Sequence, residues 1–440
     1  MESVRNAVVL GASLAGLATA KVLSEVYDTV TVVDRDQLPE RPGPRRGVPQ
    51  SRQLHVVLAR GRQDLDSLFD GLSDELGARG APQVDINHQV HWLNDGYRMR
   101  RAHSGLIGVG VSRPLLEHVV RERVRRLSNV RFRCGAAASE LCTTDDRTRV
   151  VGVQVTPRDG APYPIDADLV VDACGRSSRT PAWLTALGYP APPERRVRID
   201  ITYATRLYRR EPHHLGGRLG ALTNAVPERP RTGVVAAQED DTFAVALCGV
   251  LGDEPPLDPD GYLRFAESLG VPEITELVHD ATPIGPPVRM RFPASVRRRY
   301  ERLRRFPAGH LVVGDALCSF NPVYGQGITV ATAEAVLLRD LLRTGRTDLW
   351  RRFFRGAARI IDGPWDIAVG TDLRFPAVQG RRTPKIRFIN AYVHRLHAAA
   401  RRDPVLGAAF LRVLNLVDPP ARLLRPAIAI RVVRGGWRPV

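Results

Sequence analysis

Ala7-Val8-Val9-Leu10-Gly11-Ala12-Ser13-Leu14-Ala15-Gly16 is the stretch whose reading decides the fold. Four apolar residues in a row, without polar alternation, read as a central parallel strand covered on both faces. Gly11 makes the tight turn, and Leu17 to Ser24 continues as a helix rich in small and apolar residues. Gly16 lets that helix pack closely on the strand, while the helix N-terminus offers unpaired amides and a positive dipole end to a diphosphate. Thr29-Val30-Thr31-Val32-Val33 is the second strand. It ends on Asp34, 23 residues after Gly11 and placed to accept hydrogen bonds from a ribose. Ser13 stands where a middle glycine is usual, so its Cβ crowds the diphosphate while its hydroxyl adds a donor. The unit reads as a dinucleotide-binding strand–helix–strand, with an unoccupied Rossmann-like unit as the alternative. Alone it does not separate FAD from NAD.

Three later segments extend this reading. Val111-Ser112-Arg113-Pro114 precedes a helix expected to begin near Leu115, and Arg113 is positioned to reach an anionic diphosphate or to remain solvated. Asp168 to Asp172 is an apolar strand leading into the small, polar turn around Gly175, the kind of strand end where an open parallel sheet meets a ligand. Leu311-Val312-Val313-Gly314-Asp315-Ala316 is another buried strand ending on an acid. Asn321-Pro322-Val323-Tyr324-Gly325-Gln326-Gly327 then opens a long Ala-rich helix over Ile328 to Leu341. Asp315 suits a polyol hydroxyl, and the amides of Gly325 to Ile328 suit negative charge on a bound ring.

Bulk properties narrow the class. A chain of 440 residues with 43% hydrophobic and 25% charged residues is a folded protein of two lobes and a tail. The net charge of +17 invites a nucleic-acid reading. The basic residues, all Arg except Lys21 and Lys385, are read as scattered along the chain rather than gathered into one tail, and no nucleic-acid motif accompanies them. Nucleic acid is therefore not expected as a partner. Five widely spaced cysteines argue against a disulfide scaffold or a zinc site, so no metal is expected and a reducing cytoplasm suits the chain. Neither a removable leader nor a transmembrane segment is read. Leu423 to Arg431 is weighed as a lipid-facing segment but is expected to pack on its own protein, since Pro426 interrupts its apolar face.

With these motifs in hand, the chain resembles the FAD-dependent monooxygenases of the aromatic-hydroxylase type. Within them it is similar to the branch of bacterial polyether epoxidases and natural-product tailoring oxygenases. Gly11 to Gly16 matches the family's ADP-binding loop, Asp34 its ribose acid, and Arg113 the arginine before its third conserved helix. Asp172-Ala173-Cys174-Gly175 resembles the middle motif, with Cys174 where relatives often carry an acid. Gly314-Asp315 through Pro322 and Gly325-Gln326-Gly327 match the ribityl and ring loop, with Cys318 where many relatives have histidine. Arg45 to His55 and Phe320 to Gly327 carry the branch assignment. The resemblance covers about residues 5 to 345. It implies non-covalent FAD held by Gly11, Ser13, Ala15, Gly16, Asp34, Arg35, Arg113, Gly175, Gly314, Asp315, Pro322, Gly325, Gln326 and Gly327.

The implied fold is α/β: an FAD-binding Rossmann-like parallel sheet, an inserted mostly antiparallel substrate sheet, and a helical C-terminal region. FAD-binding parts are expected at 1–80, 111–194 and 295–345, substrate-lobe segments at 81–110 and 195–294, and a helical cap at 346–440. Arg297 to Arg299 and Arg302 to Arg305 are expected to cover the sheet's rim. No second dinucleotide fingerprint follows Gly16, so NADPH or NADH docks transiently or an external flavin reductase supplies electrons. The resemblance implies that a flavin C4a-(hydro)peroxide transfers oxygen from O2 to a lipophilic biosynthetic intermediate, by epoxidation of an alkene or by hydroxylation. A flavin-dependent reductase or dehydrogenase acting on isoprenoid or polyketide double bonds, and a non-catalytic flavin-binding protein, remain open. Tyr203, Arg206 and Phe320 are the substrate candidates, against strand packing, a surface ion pair and a loop wedge. Arg46, Gln50 and His55 are weak catalytic candidates, His55 being the one suited to shuttle a proton near pH 7.

Overall fold

The computed structural model describes residues 4–345 and 348–435. A five-stranded parallel sheet forms the base, in spatial order His310–Val312, Leu169–Asp172, Asn6–Leu10, Thr29–Asp34, Val130–Cys134. Ala7 to Leu10 are each at most 1% exposed, because helices cover one face and a three-stranded antiparallel sheet (Ala136–Thr143, Val150–Pro157, Tyr163–Asp166) contributes to the other. Burial on both faces explains the unbroken apolar run. The helix Leu14–Leu23 packs on the helix Gly327–Arg343, so the first and last nucleotide segments of the sequence lie side by side. Leu17 is fully buried in this layer, where truncation to Ala costs about 2–5 kcal/mol.

The second layer is an eight-stranded sheet, in order Cys318–Ser319, Pro283–Arg298, Glu194–Arg209, Thr242–Val250, Arg231–Gln238, Gly220–Thr223, Val90–Asn94, Tyr97–Arg98. All neighbours are antiparallel except Gly220–Thr223 with Val90–Asn94. Residues 81–110 therefore divide, since Gln83–Asp85 and Ile107–Gly110 pair in a separate small sheet with Val56–Val57. One face of the large sheet carries the helices Pro259–Glu267 and Pro272–Asp280, packed around Tyr262, Phe265 and Ile274. Its other face looks toward the parallel sheet.

Two local expectations are corrected. Arg297 is not a rim residue: it is 2% exposed inside the strand Pro283–Arg298 and pairs with Asp362 at 2.7 Å. Arg302, Arg304 and Arg305 are exposed. The helix expected near Leu115 begins at Arg113, because the Ser112 side chain caps it by accepting from the Leu115 amide at 3.2 Å and Pro114 suits its first turn.

After residue 348 the chain is helical: Leu349–Asp372, Pro384–Ala400, Pro404–Leu414 and Pro426–Gly435. Thr383 and Asp403 cap the second and third of these through their side chains. Leu396, Leu406, Leu411 and Val432 pack with Trp92 and Met99 from the large sheet and its neighbouring segment, joining the C-terminal helices to it. Among the described residues no helix is long and apolar enough to cross a membrane.

Candidate active site

A cavity of about 1430 Å³ runs between the two sheets and under the C-terminal helices. A site for one small molecule measures about 300–1,000 Å³, so this space accommodates an extended cofactor and a second ligand.

At the parallel-sheet end, backbone geometry makes the cradle. Gly11 has φ +101°, and a Cβ there would stand 2.7 Å from the Ala173 carbonyl oxygen. A Cβ on Gly16 would stand 1.8 Å from the Gly11 carbonyl oxygen, which is why the helix and the turn approach each other only with glycine at that place. Ser13 precedes the helix without capping it. Its hydroxyl donates to Glu117 at 2.5 Å and accepts from Arg113 at 2.7 Å, which leaves amides of the first turn free for an anion.

Asp34 lies on the cavity wall, but it is already engaged. Its Oδ2 accepts from the Ala12 amide at 2.6 Å and from Arg45 at 3.3 Å, and its Oδ1 accepts from the Asp36 amide at 2.8 Å. A carboxylate has about four acceptor positions, so room remains for a ribose hydroxyl. Arg35 lines the same wall.

Two residues that the sequence did not single out tie this end together. Arg45, 6% exposed, donates to Glu117, to Asp34 and to the Ala12 carbonyl, whereas the neighbouring Arg46 is exposed and lies off the cavity. Glu117, 3% exposed, sits one helical turn after Arg113 and accepts from it at 2.7 Å. Burial opposes the charge on Glu117, but Arg113 and Arg45 outweigh it and hold the carboxyl below its usual range. The Arg113–Glu117 spacing was the available sequence signal. Nothing local distinguishes Arg45 from Arg46.

The middle of the cavity is built by Gly175 and Gly314–Gly327. Gly314 takes φ +66°, and a Cβ there would press on Ala15 at 2.9 Å. Asp315 reaches the cavity and accepts no hydrogen bond from the described residues, while burial pushes its carboxyl up against the opposing influence of Arg113 and Arg176. Half-buried and facing the cavity, its carboxylate keeps its acceptor positions open to a ligand hydroxyl. Gly325 takes φ +65° to end the turn Pro322–Tyr324, and Pro322, Gly325 and Gly327 face the cavity at the start of a 17-residue helix. Gln326, expected among the cofactor residues, is 1% exposed and lies off the cavity, because its side chain is packed into the protein behind the turn. Behind the turn, Asp372 accepts from Asn321 at 2.9 Å and from the Tyr324 hydroxyl at 3.1 Å, and burial raises its pKa to about 7. An Asp315 without protein donors, a glycine-lined approach and free helix amides together fit the ribityl chain, diphosphate and ring of FAD.

Opposite the turn stands the large sheet. Tyr203 and Phe320 line the cavity, with Trp92, Leu222, Val234 and Phe292 making the wall strongly apolar. Arg206 is a correction: it belongs to the other face of Glu194–Arg209, donates to the Gly285 carbonyl at 3.0 Å and stacks over Tyr208. Side chains alternate along a strand, so Tyr203 and Thr205 facing the cavity send Arg206 away from it. Arg176, which the sequence reading passed over, lines the cavity and lies 5.0 Å over the Phe292 ring.

Gln50 and His55 also line the cavity. His55 Nδ1 is 2.9 Å from the Gln53 carbonyl, which only accepts, so Nδ1 carries the proton and Nε2 is the acceptor. Burial, reinforced by Arg113, lowers its pKa to about 4. The expected proton shuttle near pH 7 is therefore corrected: His55 is a neutral acceptor there.

No family model matches the chain. It is 37% identical over 430 residues to Protein Rv3254 of Mycobacterium tuberculosis (strain ATCC 25618 / H37Rv), covering 94% of this chain and 90% of that one. It is 25% identical to squalene monooxygenase SE1 of Panax ginseng, over 77% of this chain and 58% of that one. Among solved structures, the flavin-dependent brominase Bmp2 superposes with TM-score 0.68 at 15% identity, covering 97% of this chain and 98% of that one. The p-nitrophenol 4-monooxygenase PnpA of Pseudomonas putida DLL-E4 does so with TM-score 0.64 at 16% identity, covering 94% and 99%. The fold is thus that of the FAD-dependent monooxygenases, and the chain belongs to the family of the mycobacterial Protein Rv3254.

Proposed function

We propose that this chain is an FAD-dependent monooxygenase acting on a lipophilic small molecule, with epoxidation of an alkene ahead of ring hydroxylation. The observation that carries the reading is Asp315, a carboxylate without a protein donor, set between the glycine turn and a cavity that continues into an apolar chamber. When bound and reduced, FAD supplies the activation of molecular oxygen and the transfer of one oxygen atom.

The chain's own residues do the rest. The first-turn amides after Ser13, with Arg113 beside them, hold the diphosphate. Asp34 takes the adenosine ribose and Asp315 the ribityl hydroxyls. The Gly325 amide is spent on the Pro322 carbonyl at 3.0 Å, so the amides of Gly327 and Ile328, at the start of the helix, stabilise negative charge at the pyrimidine edge of the ring. Tyr203, Phe320 and the apolar wall exclude water and orient the substrate by shape. His55 Nε2 accepts a hydrogen bond in that chamber without changing its charge. NADPH, NADH or a flavin reductase provides electrons, and residues 1–80, 111–194 and 295–345 serve the cofactor while 81–110 and 195–294 serve the substrate. An epoxidation reading is supported by the apolar wall and by the sequence similarity to a squalene monooxygenase.

The test is incubation of the FAD-loaded protein with reductant, a panel of alkenes and phenols, and isotopically labelled oxygen. Label in the product supports the reading. Turnover that proceeds without oxygen replaces it with a dehydrogenase.

A further inference from the structure

The positive charge of this chain is not spread as the sequence first suggested. Residues 373–440 carry fourteen of the Lys and Arg residues against two Asp, so +12 of the net +17 lies in that last stretch. The two acids are already committed, Asp403 to Arg431 and Asp418 to Arg412 and Arg422. Arg387, Arg395, Arg402, Arg425 and Arg434 pair with no Asp or Glu among the described residues.

Large apolar side chains stand exposed on the same elements. Phe388 on the helix Pro384–Ala400 is 59% exposed, and Leu424 at the end of the turn Pro420–Leu424 is 43%. Ile430 and Val433, one turn apart on Pro426–Gly435, are 50% and 58% exposed. Ile428 and Val432 of the same helix are buried, so this helix has apolar side chains on both faces and only one is covered. Phe388 stacks against Tyr392, whose hydroxyl donates to the Leu423 carbonyl at 2.6 Å, which ties the patch on the helix to Leu424. Pro426 begins the final helix; it does not break an apolar face.

The cavity reaches the surface at this place. Arg381, Lys385, Pro420 and Leu424 are exposed and also line it, followed inward by Ile389 and Tyr392. Exposed apolar groups flanked by unpaired Arg on short helices are the chemistry of an interfacial surface on anionic lipid. A face meant for water would not carry Phe, Leu, Ile and Val together, and one meant for a protein core would not carry so many uncompensated guanidinium groups.

We propose that Pro384–Ala400, Pro420–Leu424 and Pro426–Gly435 form a docking surface for an anionic lipid bilayer, seating the cavity mouth on the leaflet that supplies a lipophilic substrate. The supply of substrate rests on the function proposed above; the docking does not. Phe388, Leu424, Ile430 and Val433 enter the headgroup region, and the Arg residues pair with lipid phosphates.

The experiment is co-sedimentation of the full-length, FAD-loaded protein with vesicles of phosphatidylcholine alone and of phosphatidylcholine with phosphatidylglycerol. Flavin absorbance and light scattering are read on the same samples. The expected result is binding to the anionic vesicles, weakened by salt, and weak or no binding to the neutral ones. Arg425→Gln/Arg434→Gln lowers the affinity by about fivefold per Arg, since each such residue near a charged leaflet is worth about 1 kcal/mol. Ile430→Asp/Val433→Asp abolishes it, while both variants keep the wild-type flavin content because none of these four side chains lines the cavity. Equal binding to both lipids, or binding to neither by protein that retains its flavin, overturns the proposal. So does a concentration-dependent dimer lost in Ile430→Asp/Val433→Asp without vesicle binding, which would make the face a contact between two copies. Protein that never takes up FAD refutes the proposed function instead, and vesicle binding still reads the docking surface.

Discussion

Arg45 and Glu117, 72 residues apart in sequence, are joined by two hydrogen bonds of 3.1 and 3.2 Å between guanidinium and carboxylate, with both side chains almost wholly withdrawn from water. The pair crosses from the loop after the second strand to the helix Arg113–Arg125 and closes the diphosphate end of the cavity. Breaking a buried pair by removing one partner costs about 3–5 kcal/mol, because the remaining charge is left uncompensated. Glu117→Gln should therefore lower the chemical-denaturation free energy of the flavin-free protein by about that amount. The folded-state pKa of Glu117 is depressed, so its stabilisation is present above the unfolded carboxylate value and is lost as pH falls through the folded one. The difference between wild type and Glu117→Gln should shrink toward acid pH. A difference that is the same at every pH would show that the charge is not what matters there.

Asp315 should separate folding from binding. Burial raises its pKa, so as pH climbs past the unfolded carboxylate value the folded protein bears an increasing penalty for ionising it. Asp315→Asn should make the flavin-free protein more stable at neutral pH, and it should weaken FAD by about tenfold or more, the worth of a charge-assisted hydrogen bond of about 1.5–3 kcal/mol. Thermal unfolding and flavin titration read the two effects independently. Unchanged FAD affinity would mean that Asp315 does not touch the ribityl chain.

Asp34→Asn weakens the acceptor for the ribose and for the Ala12 amide, so the FAD dissociation constant should rise by about tenfold. At saturating FAD, reoxidation of the reduced protein by oxygen should stay within about twofold of wild type, since binding and chemistry are separable contributions. Stopped-flow spectroscopy checks the second half. A loss of about a hundredfold there would place Asp34 near the reacting edge and reverse the orientation of the cofactor along the sheet.

His55 should leave no inflection in the rate between about pH 5 and 8, the range in which an unperturbed imidazole titrates. Its pKa lies near 4 in the fold, below the unfolded value, so the unfolded chain takes up the proton first and acid destabilises the protein through this group. His55→Gln should flatten the loss of stability between neutral pH and about 4. A rate inflection that disappears in His55→Gln would restore the proton shuttle.

The flavin should be bound without a covalent link. Cys174 is exposed on the cavity wall, yet desolvation in the cleft and the neighbouring Asp172 carboxylate push its thiol above its usual pKa, which disfavours the thiolate that a covalent link would need. Acid precipitation should release yellow flavin into the supernatant and leave a polypeptide of unmodified mass. A stoichiometric adduct on Cys174 or His55 would refute this.

The parts that the sequence alone determined are those set by local backbone chemistry. Gly11 and Gly16 are demanded by a turn at φ +101° and a contact no Cβ allows, and Gly314 and Gly325 by further positive φ angles. The buried strands Asn6–Leu10 and His310–Val312 declared themselves by the apolar runs Ala7 to Leu10 and Leu311 to Val313, and these strand ends with their following helices lie together at one end of the sheet. Side-chain direction was a matter for tertiary structure. Arg206 and Tyr203 lie on one strand, whose sheet is covered on one face by helices and on the other by the cavity wall, so apolar residues on both faces blur the alternation that would have told them apart. Arg45 was chosen over Arg46 by the path of an irregular loop, and Glu117 met Ser13 across 104 residues, a distance over which no sequence period operates. The C-terminal charge was written in the sequence throughout. Only the packing of Ile428 and Val432 inward decided that Ile430 and Val433 would face out beside it.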